Sequence, residues 1–253
     1  MKDIKYQFDY AYQSDVGRIR LKNEDSTTVL INKYNDILLA IADGMGGHNK
    51  GDYASHLAIS YISEEFKKRK YGFVSIIAAK IWLQHTIGRA NKLIFNTAEQ
   101  NEAYHGMGTT LVAVLIRKNY LIVINIGDSR AYLFANNKLE QLCEDQSYVN
   151  YLKNSGQINE SEAQKRKDKN ILLNALGIYP SVSFESRLLK YNDQPVLLCS
   201  DGLCNNLKEI NIIKLLQEKV PIKAIVNNLI NAANANGGND NITVIYFKRS
   251  IHG

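Results

Sequence analysis

The middle of the chain contains four strand-like segments that follow one another too closely for helical crossovers. These segments are residues 110–117, 120–126, 130–135 and 138–142. Lys118-Asn119 and Asn136-Asn137 leave two residues between neighbouring segments, which is a hairpin length. Residues 121–124 (LIVI) are apolar at every position, which indicates a strand buried on both faces. The sequence therefore predicts antiparallel sheet structure that needs cover on both sides.

The rest of the chain predicts further strands and several amphipathic helices. Strands are predicted at residues 8–13, 27–32, 37–42, 184–189, 196–200 and 242–247. Helices are predicted at 52–69, 75–98, 209–218 and 222–235, with Pro221 at the first helical position. The polar, lysine-rich segment 148–169 predicts short helices or a mobile excursion. Strict βαβ alternation is absent, so the pattern favours an α+β fold of two packed sheets flanked by helices over a doubly wound sheet.

Composition indicates one globular domain. The chain has 253 residues, 45% of them hydrophobic, with three prolines and no linker-like tract. No apolar run reaches the ~18–20 residues of a membrane span, and the first residues lack the apolar stretch of a signal peptide. Cys143, Cys199 and Cys204 form no even framework. We expect a cytoplasmic protein without membrane contacts.

The net charge of +6 raises the question of an anionic partner. The basic runs are short, at residues 67–70 and 165–167, and no aromatic residues are interleaved with them. The first run lies where a predicted helix ends, a position that favours cations. Nucleic-acid binding is therefore disfavoured.

Acidic residues recur where apolar strands begin or end. Asp43, Asp128, Asp201 and Asp240 each lie close to a glycine at such a point, and Glu24-Asp25 precedes another strand. A single Asp-Gly pair is ordinary turn chemistry. Several carboxylates at one end of a sandwich would repel one another unless a cation lay between them. Oxygen ligands suit hard divalent cations, so the pattern predicts such a site.

Other phosphate and metal chemistries lack their motifs. No glycine precedes a lysine, which excludes a P-loop. The residues six positions after the cysteines are Val149, Asn205 and Ile210, so no C-x5-R motif occurs. The sequence contains neither DxD nor GxSxG, and its five histidines form no HxH or HxxxH pair that would indicate zinc.

Seven motifs in order resemble the metal-dependent protein phosphatase 2C family in its compact bacterial form. They are SDVGRIRLKNEDS (14–26), ADGMGGHNKGDYAS (42–55), GMGTTLVAVLI (106–116), NIGDSRAYLF (125–134), NILLNALG (170–177), LLCSDGL (197–203) and GGNDNITVI (237–245). The resemblance covers nearly the whole chain as a single phosphatase domain, residues 1–253. It implies a four-layer αββα sandwich with a metal site at its end and hydrolysis of phosphoserine and phosphothreonine in proteins.

The resemblance also implies a set of metal ligands. Asp43 would bridge two Mn²⁺ or Mg²⁺ ions, and the Gly44 carbonyl would bind one of them. Asp201 and Asp240 would bind the other, and Asp128 with Asp201 would form a weaker third site. A two-metal site can activate a bridging water for direct attack on a phosphomonoester, without a phosphoenzyme.

Three further residues would contribute to catalysis by the same resemblance. Glu24 and Asp25 would hold metal-bound waters, and Arg20 falls where the family has its phosphate-binding arginine. A guanidinium can clamp phosphate oxygens in a fork that lysine cannot match.

The chain departs from the family pattern at a few positions. Met45 stands where many eukaryotic members have a histidine proposed as general acid. Gln146 and Leu173-Asn174 replace the usual residues on either side of a segment, 146–170, that resembles the variable flap over the active site. These departures bear on substrate recognition more than on hydrolysis. His48 is interpreted as a structural or supporting residue.

Two classes of function are consistent with this pattern. The first is an active phosphatase that acts on phosphoproteins and opposes a Ser/Thr kinase. The full set of acidic ligands favours this interpretation. The alternative is a catalytically weak regulator that binds phosphoproteins. A phosphatase acting on nucleotides or sugars is a third, weaker reading. We expect a monomer, although the sequence gives no oligomeric state.

Overall fold

Two antiparallel β-sheets lie face to face, and helices cover the outer face of each. The computed structural model describes residues 5–46, 50–166, 168 and 171–252. The first sheet has the strand order β1-β11-β10-β7-β8, and the second has the order β2-β3-β5-β6-β9, with the short β4 beside β3. This is the four-layer αββα sandwich that the sequence predicted.

The strands and helices follow one another in chain order. The strands are β1 (Lys5–Asp15), β2 (Asp25–Ile31), β3 (Ile37–Met45), β4 (Gly108–Thr109), β5 (Leu111–Arg117), β6 (Tyr120–Ile126), β7 (Arg130–Ala135), β8 (Lys138–Gln141), β9 (Glu185–Lys190), β10 (Val196–Cys199) and β11 (Ile242–His252). The helices are α1 (Lys50–Lys67), α2 (Ile76–Gln100), α3 (Tyr148–Asn154), α4 (Glu160–Lys165), α5 (Asp201–Asn206), α6 (Glu209–Leu216) and α7 (Ile222–Ala235).

The predicted hairpins are confirmed. Asn136 and Asn137 have φ values of 51° and 58°, and Lys118 has a φ of 49°. Asparagine tolerates this left-handed region, and two such residues match the twist of the flanking strands. β5, β6, β7 and β8 therefore begin and end close to the predicted positions.

Strand β3 shows how the layers form, because both of its faces are buried. Leu38 and Ala40 pack in the cluster beneath α1 and α2. Ile37, Leu39 and Ile41 point the other way, into the layer between the two sheets. A third apolar cluster lies between the first sheet and α5, α6 and α7. Alternate side chains of one strand thus belong to two cores, which explains its continuous apolar run.

The structure differs from the sequence prediction at several element ends. β1 and β11 are longer than predicted and pair along 11 residues, from Lys5 opposite His252 to Asp15 opposite Ile242. Pro221 caps α7 instead of beginning it. Asp201-Gly202, which we read as a turn, begins the helix α5. A Cβ on Gly202 would lie 2.0 Å from the backbone oxygen of Asn241, so glycine permits this close approach.

The predicted flap segment contains two short helices, α3 and α4. Ser147 caps α3, and Asn159 with Glu162 forms a capping box on α4. The backbone N–H of Tyr148 donates to the oxygen of Ile171 at 2.8 Å, so the segment leaves and rejoins the body at one point. Its role over the active site stays a prediction.

None of the helices in the described ranges is long and apolar enough to cross a lipid bilayer.

A buried ion pair fixes the helical layer to the second sheet. Asp36 is 1% exposed, and its Oδ1 atom accepts a hydrogen bond from Nη1 of Arg117 at 2.5 Å. Arg117 also donates to the backbone oxygen of Phe73, in the connection between α1 and α2.

We expect Arg117→Met to lower the free energy of unfolding by about 3–5 kcal/mol, because it leaves the Asp36 carboxylate buried without its cation. Urea denaturation measures the change. Lys68→Met is the control, since it breaks an exposed pair with Glu65 and should leave the midpoint unchanged. Equal midpoints for the two variants would show that the buried pair has no such role.

Candidate active site

Strand pairing brings the predicted acidic residues to one end of the sandwich. Asp25 begins β2 and lies directly opposite Asp43 near the end of β3. Asp201 follows β10 and begins α5, and Asp128 lies in the turn between β6 and β7. Asp240 precedes β11 by two residues. Residues far apart in the chain thus form one acidic cluster.

The carboxyl groups of this cluster are half-buried and repel one another. Burial raises the pKa of Asp43 well above its usual value, and repulsion from the neighbouring acids raises it further. Burial likewise raises the pKa of Asp128 to about 8 and that of Asp201 to about 6, with repulsion from other acids adding to both shifts. Arg20 and Arg130 lower the pKa of Asp201, but their charges only partly compensate the acidic charge.

Asp25 is held by hydroxyl donors. Its Oδ2 atom accepts from Oγ1 of Thr243 at 2.6 Å and from Oγ of Ser200 at 2.8 Å. Burial nevertheless raises the pKa of Asp25 to about 7, against the effect of these two hydrogen bonds. The hydroxyl groups fix the orientation of the carboxyl without supplying a charge.

The cluster contains buried oxygen atoms that lack a hydrogen-bond partner. Oδ1 of Asp25 and Oδ1 of Asp201 are both of this kind, although Asn205 donates to Oδ2 of Asp201 at 2.9 Å. Buried polar atoms are normally satisfied. An all-oxygen donor set with unsatisfied atoms and coupled acids fits a hard divalent cation.

Within the ranges that the structure describes, no three or more His, Cys, Asp or Glu side chains form a preassembled metal-binding group. Smaller donor sets remain suitable, since Mg²⁺ is commonly bound by one or two carboxylates and keeps several waters. Asp43 and Asp201, whose carboxyl groups interact electrostatically, form such a pair.

Gly44 lies where β3 meets the beginning of α1. A Cβ at this position would be 2.0 Å from the backbone oxygen of Gly51 and 2.7 Å from that of Glu24. Only glycine allows this approach of backbone to backbone. The role of the Gly44 carbonyl as a metal ligand stays a prediction.

Glu24 contacts the first turn of α1. The backbone N–H of Gly51 donates to its carboxylate, a favourable position at a helix N-terminus. Burial, the largest effect, raises the pKa of Glu24, and the charge of Asp52 adds to it. The structure therefore places Glu24 at the rim of the acidic cluster.

Arg20 contacts one of the predicted metal ligands. Its Nη2 atom donates to Oδ2 of Asp240 at 2.8 Å, and its side chain is 48% exposed. The hydrogen bond to Asp240 raises the pKa of Arg20, and the charges of Glu24 and Asp43 contribute as well. The guanidinium thus lies at the open side of the cluster. Its pairing with Asp240, 220 positions away in the chain, was not predicted.

The sequence prediction missed Asn241, which organises the loop that carries Arg20 and Glu24. Its Oδ1 atom accepts from the backbone N–H of Glu24 at 2.8 Å. Its Nδ2 atom donates to the backbone oxygens of Val16 and Lys22, at 2.9 and 2.8 Å. From the sequence alone, an asparagine after Asp240 resembles an ordinary turn residue. Its role could not be predicted because its three backbone partners lie more than 200 positions away in the chain.

A cavity of about 690 Å³ opens between the acidic cluster and the flap. Its lining includes Asp128 and Asp201 of the cluster and Asn150 and Lys153 of α3. Cys204 also lines it. The Sγ atoms of Cys199 and Cys204 are 3.3 Å apart, and their hydrogen bond lowers the pKa of Cys204 to about 7. The cavity gives a molecule access to the acids.

The predicted site residues therefore lie together. Asp25, Asp43, Asp128, Asp201 and Asp240 interact electrostatically, whereas Arg20 and Glu24 border them. Their catalytic and ligand roles stay predictions. His48 lies outside the described residues.

Comparison with known proteins is consistent with this geometry. The family model for protein phosphatase 2C matches residues 18–243. The chain is 39% identical over 241 residues to serine/threonine phosphatase stp of Listeria welshimeri, across 95% of each chain. It is 34% identical over 233 residues to protein phosphatase PhpP of Streptococcus pneumoniae, across 91% of this chain and 93% of that protein.

Solved structures show the same architecture. Serine/threonine phosphatase Stp1 from Staphylococcus aureus superposes with a TM-score of 0.90 at 33% identity, over 98% of this chain and 96% of that one. The catalytic domain of the serine/threonine protein phosphatase PstP, in complex with two manganese ions, gives a TM-score of 0.83 at 32% identity, over 97% and 99%. The family model and these relatives show that the chain belongs to the protein phosphatase 2C family.

Proposed function

We propose that this chain is a Mn²⁺- or Mg²⁺-dependent protein serine/threonine phosphatase that hydrolyses phosphoserine and phosphothreonine without a phosphoenzyme. The observation that carries the proposal is the cluster of coupled, half-buried carboxyl groups around Asp43. Its relatives stp and PhpP are protein phosphatases, and the relative PstP binds two manganese ions.

The proposed ligands are the acids of the cluster together with one carbonyl. Asp43, the Gly44 carbonyl, Asp201 and Asp240 would hold two ions, and Asp128 with Asp201 a third. When bound, divalent cations lower the pKa of a water and neutralise charge that develops on the phosphoryl group. The unsatisfied Oδ1 atom of Asp201 supports this assignment.

Arg20 is the proposed phosphate-binding residue. Asp240 holds one Nη atom of Arg20 and so orients the guanidinium. A guanidinium has five N–H donors in a fixed fork, so donors beyond the Asp240 contact can bind the phosphate oxygens.

Glu24 and Asp25 are the proposed water-holding carboxylates. Gly51 fixes the first, and Thr243 and Ser200 fix the second. Fixed acceptors of this kind orient a water without reorganisation during the reaction.

The proposed substrates are cytoplasmic phosphoproteins made by a cognate Ser/Thr kinase. The exposed position of Arg20 suits a phosphorylated side chain presented by a large substrate.

A phosphothreonine peptide and p-nitrophenyl phosphate test the proposed activity. We expect turnover of both with Mn²⁺ and its loss in EDTA, with recovery when Mn²⁺ is restored. Turnover that persists undiminished in EDTA would exclude the metal mechanism.

Asp43→Asn should have opposite effects on stability and on activity. Without metal it should raise the melting temperature, by about 2–4 °C for each kcal/mol of relieved repulsion, because it removes an acid that four others repel. It should also abolish the stabilisation by Mn²⁺ and lower kcat by orders of magnitude.

Thermal melts of Asp43→Asn with and without Mn²⁺ measure the two effects on stability. Asp9→Asn, on an exposed position of β1, is the control. A Mn²⁺-dependent melting shift equal to that of the unmodified chain would contradict the assignment of Asp43.

Arg20→Ala should mainly raise KM for the phosphopeptide, about tenfold or more, because a charge-assisted contact to phosphate is lost. Arg20→Lys should recover only part of the affinity, because an ammonium lacks the fork. Steady-state kinetics at saturating Mn²⁺ separate KM from kcat. An unchanged KM with a collapsed kcat would assign Arg20 a different role.

A further inference from the structure

Gln146 connects three segments of the chain at the entrance to the flap. It directly precedes Ser147, the cap of α3. Its side-chain Oε1 atom accepts from the backbone N–H of Gly127 at 3.3 Å and from Nδ2 of Asn174 at 2.9 Å. Its Nε2 atom donates to the backbone oxygen of Asn125 at 3.2 Å. One neutral side chain thus contacts the β6–β7 turn and the returning end of the flap.

The main chain of Gln146 adds two hydrogen bonds to the same segments. Its N–H donates to the oxygen of Gly127 at 2.8 Å, and its oxygen accepts from the N–H of Leu173 at 2.8 Å. Gly127 is therefore bound through both its N–H and its carbonyl. The turn cannot move relative to the flap base without breaking several hydrogen bonds at once.

The turn held by Gln146 carries Asp128. Gly127 has a φ of +95°, and a Cβ on it would lie 2.7 Å from Cγ2 of Thr110. The turn is therefore packed directly against Thr110, in a conformation that favours glycine. Asn125 closes the turn, because its Nδ2 atom donates to the Gly127 oxygen at 3.1 Å.

Thr110 continues the connection to the centre of the acidic cluster. Its Oγ1 atom accepts from the backbone N–H of Asp43 at 3.0 Å and lies 2.9 Å from Oγ of Ser129. Its own N–H donates to the oxygen of Asp43 at 2.8 Å. The contacts from Gln146 through Gly127 and Thr110 to Asp43 are thus continuous.

On the other side, Gln146 contacts the segment that follows the flap, residues 171–174. Asn174 donates both to Gln146 and to the backbone oxygen of Ser183, the latter at 2.5 Å. Ser147 and Leu172 form an isolated β-bridge beside it. Both ends of the flap therefore meet at Gln146, and the flap helix α3 lines the same cavity as Asp128.

We propose that Gln146 is a positioning residue that couples the flap to the Asp128 turn. It sets the distance across the cavity between α3 and the acidic cluster, where the phosphopeptide of the proposed function would lie. Asn174 is its partner in this role. The substrate effect rests on the proposed function, whereas the mechanical coupling does not.

Hydrogen exchange on the full chain tests the coupling. Gln146→Ala should accelerate amide exchange at least roughly tenfold both in the turn 125–128 and in residues 171–174, because neutral hydrogen bonds to both are lost. Gln157→Ala is the matched control: this flap glutamine is exposed, and its side chain donates to Oγ of Ser155, two positions away. It should leave both segments unchanged. Acceleration confined to the flap, with the turn unaffected, would overturn the proposal.

Kinetics separate positioning from a purely structural role. With Mn²⁺ saturating and well below the melting temperature, Gln146→Ala should raise KM for a phosphothreonine peptide severalfold, whereas Gln157→Ala should not. A lower melting temperature with an unchanged KM would show that Gln146 only stabilises the fold. If the unmodified chain does not hydrolyse the peptide, the proposed function fails, but exchange still decides the coupling.

Asn174→Ala provides a second, milder variant if Gln146→Ala does not fold. It should accelerate exchange in the turn 125–128 as well, by less than Gln146→Ala, because it removes one of the three side-chain contacts of Gln146. The double variant should lose less protection than the sum of the single losses, as expected for residues in direct contact. Strict additivity would contradict the partnership.

Discussion

Repulsion among carboxylates is the constraint on which the site depends. Asp25, Asp43, Asp128 and Asp201 are brought together from four parts of the chain, and burial raises the pKa of each. Such a group does not assemble by itself, because carboxylates that are partly buried repel one another strongly. The assembly must therefore be imposed by the rest of the fold.

The three apolar layers supply that force. Strand β3 places alternate side chains in two cores, so Asp43 at its end cannot move away without disturbing both. β1 and β11 pair along their whole length. This pairing fixes the chain just before Arg20, which follows β1, and just after Asp240, which precedes β11. Hydrophobic burial is non-directional, so directional hydrogen bonds complete the arrangement. Thr243 and Ser200 donate to the carboxylate of Asp25 and orient it, and Thr110 accepts from the backbone N–H of Asp43.

The parts of this arrangement that local sequence determines were predictable. The two-residue connections at Lys118-Asn119 and Asn136-Asn137 predicted hairpins. Aspartates next to apolar runs predicted that acids lie at the ends of strands. The functional grouping of those acids came from the resemblance as much as from the residues. Helix α5 was missed because Asp201-Gly202 resembles a turn, and its glycine is instead required by the backbone of Asn241. The roles of Asn241 and Gln146 were not predictable, because their partners are distant in the sequence and become neighbours only in the fold.

The departures from the family pattern at Gln146 and Asn174 are consistent with one another. The two amides are hydrogen-bonded to each other, and each also holds a backbone group. An amide can both donate and accept, so the pair joins the flap to the turn without adding a charge beside Asp128. A carboxylate at position 146 would add to the repulsion that already raises the pKa of Asp128. A cation there would compete with a bound metal for the same carboxylate. Neutral side chains avoid both effects, which gives a physical reason for an amide pair at this junction.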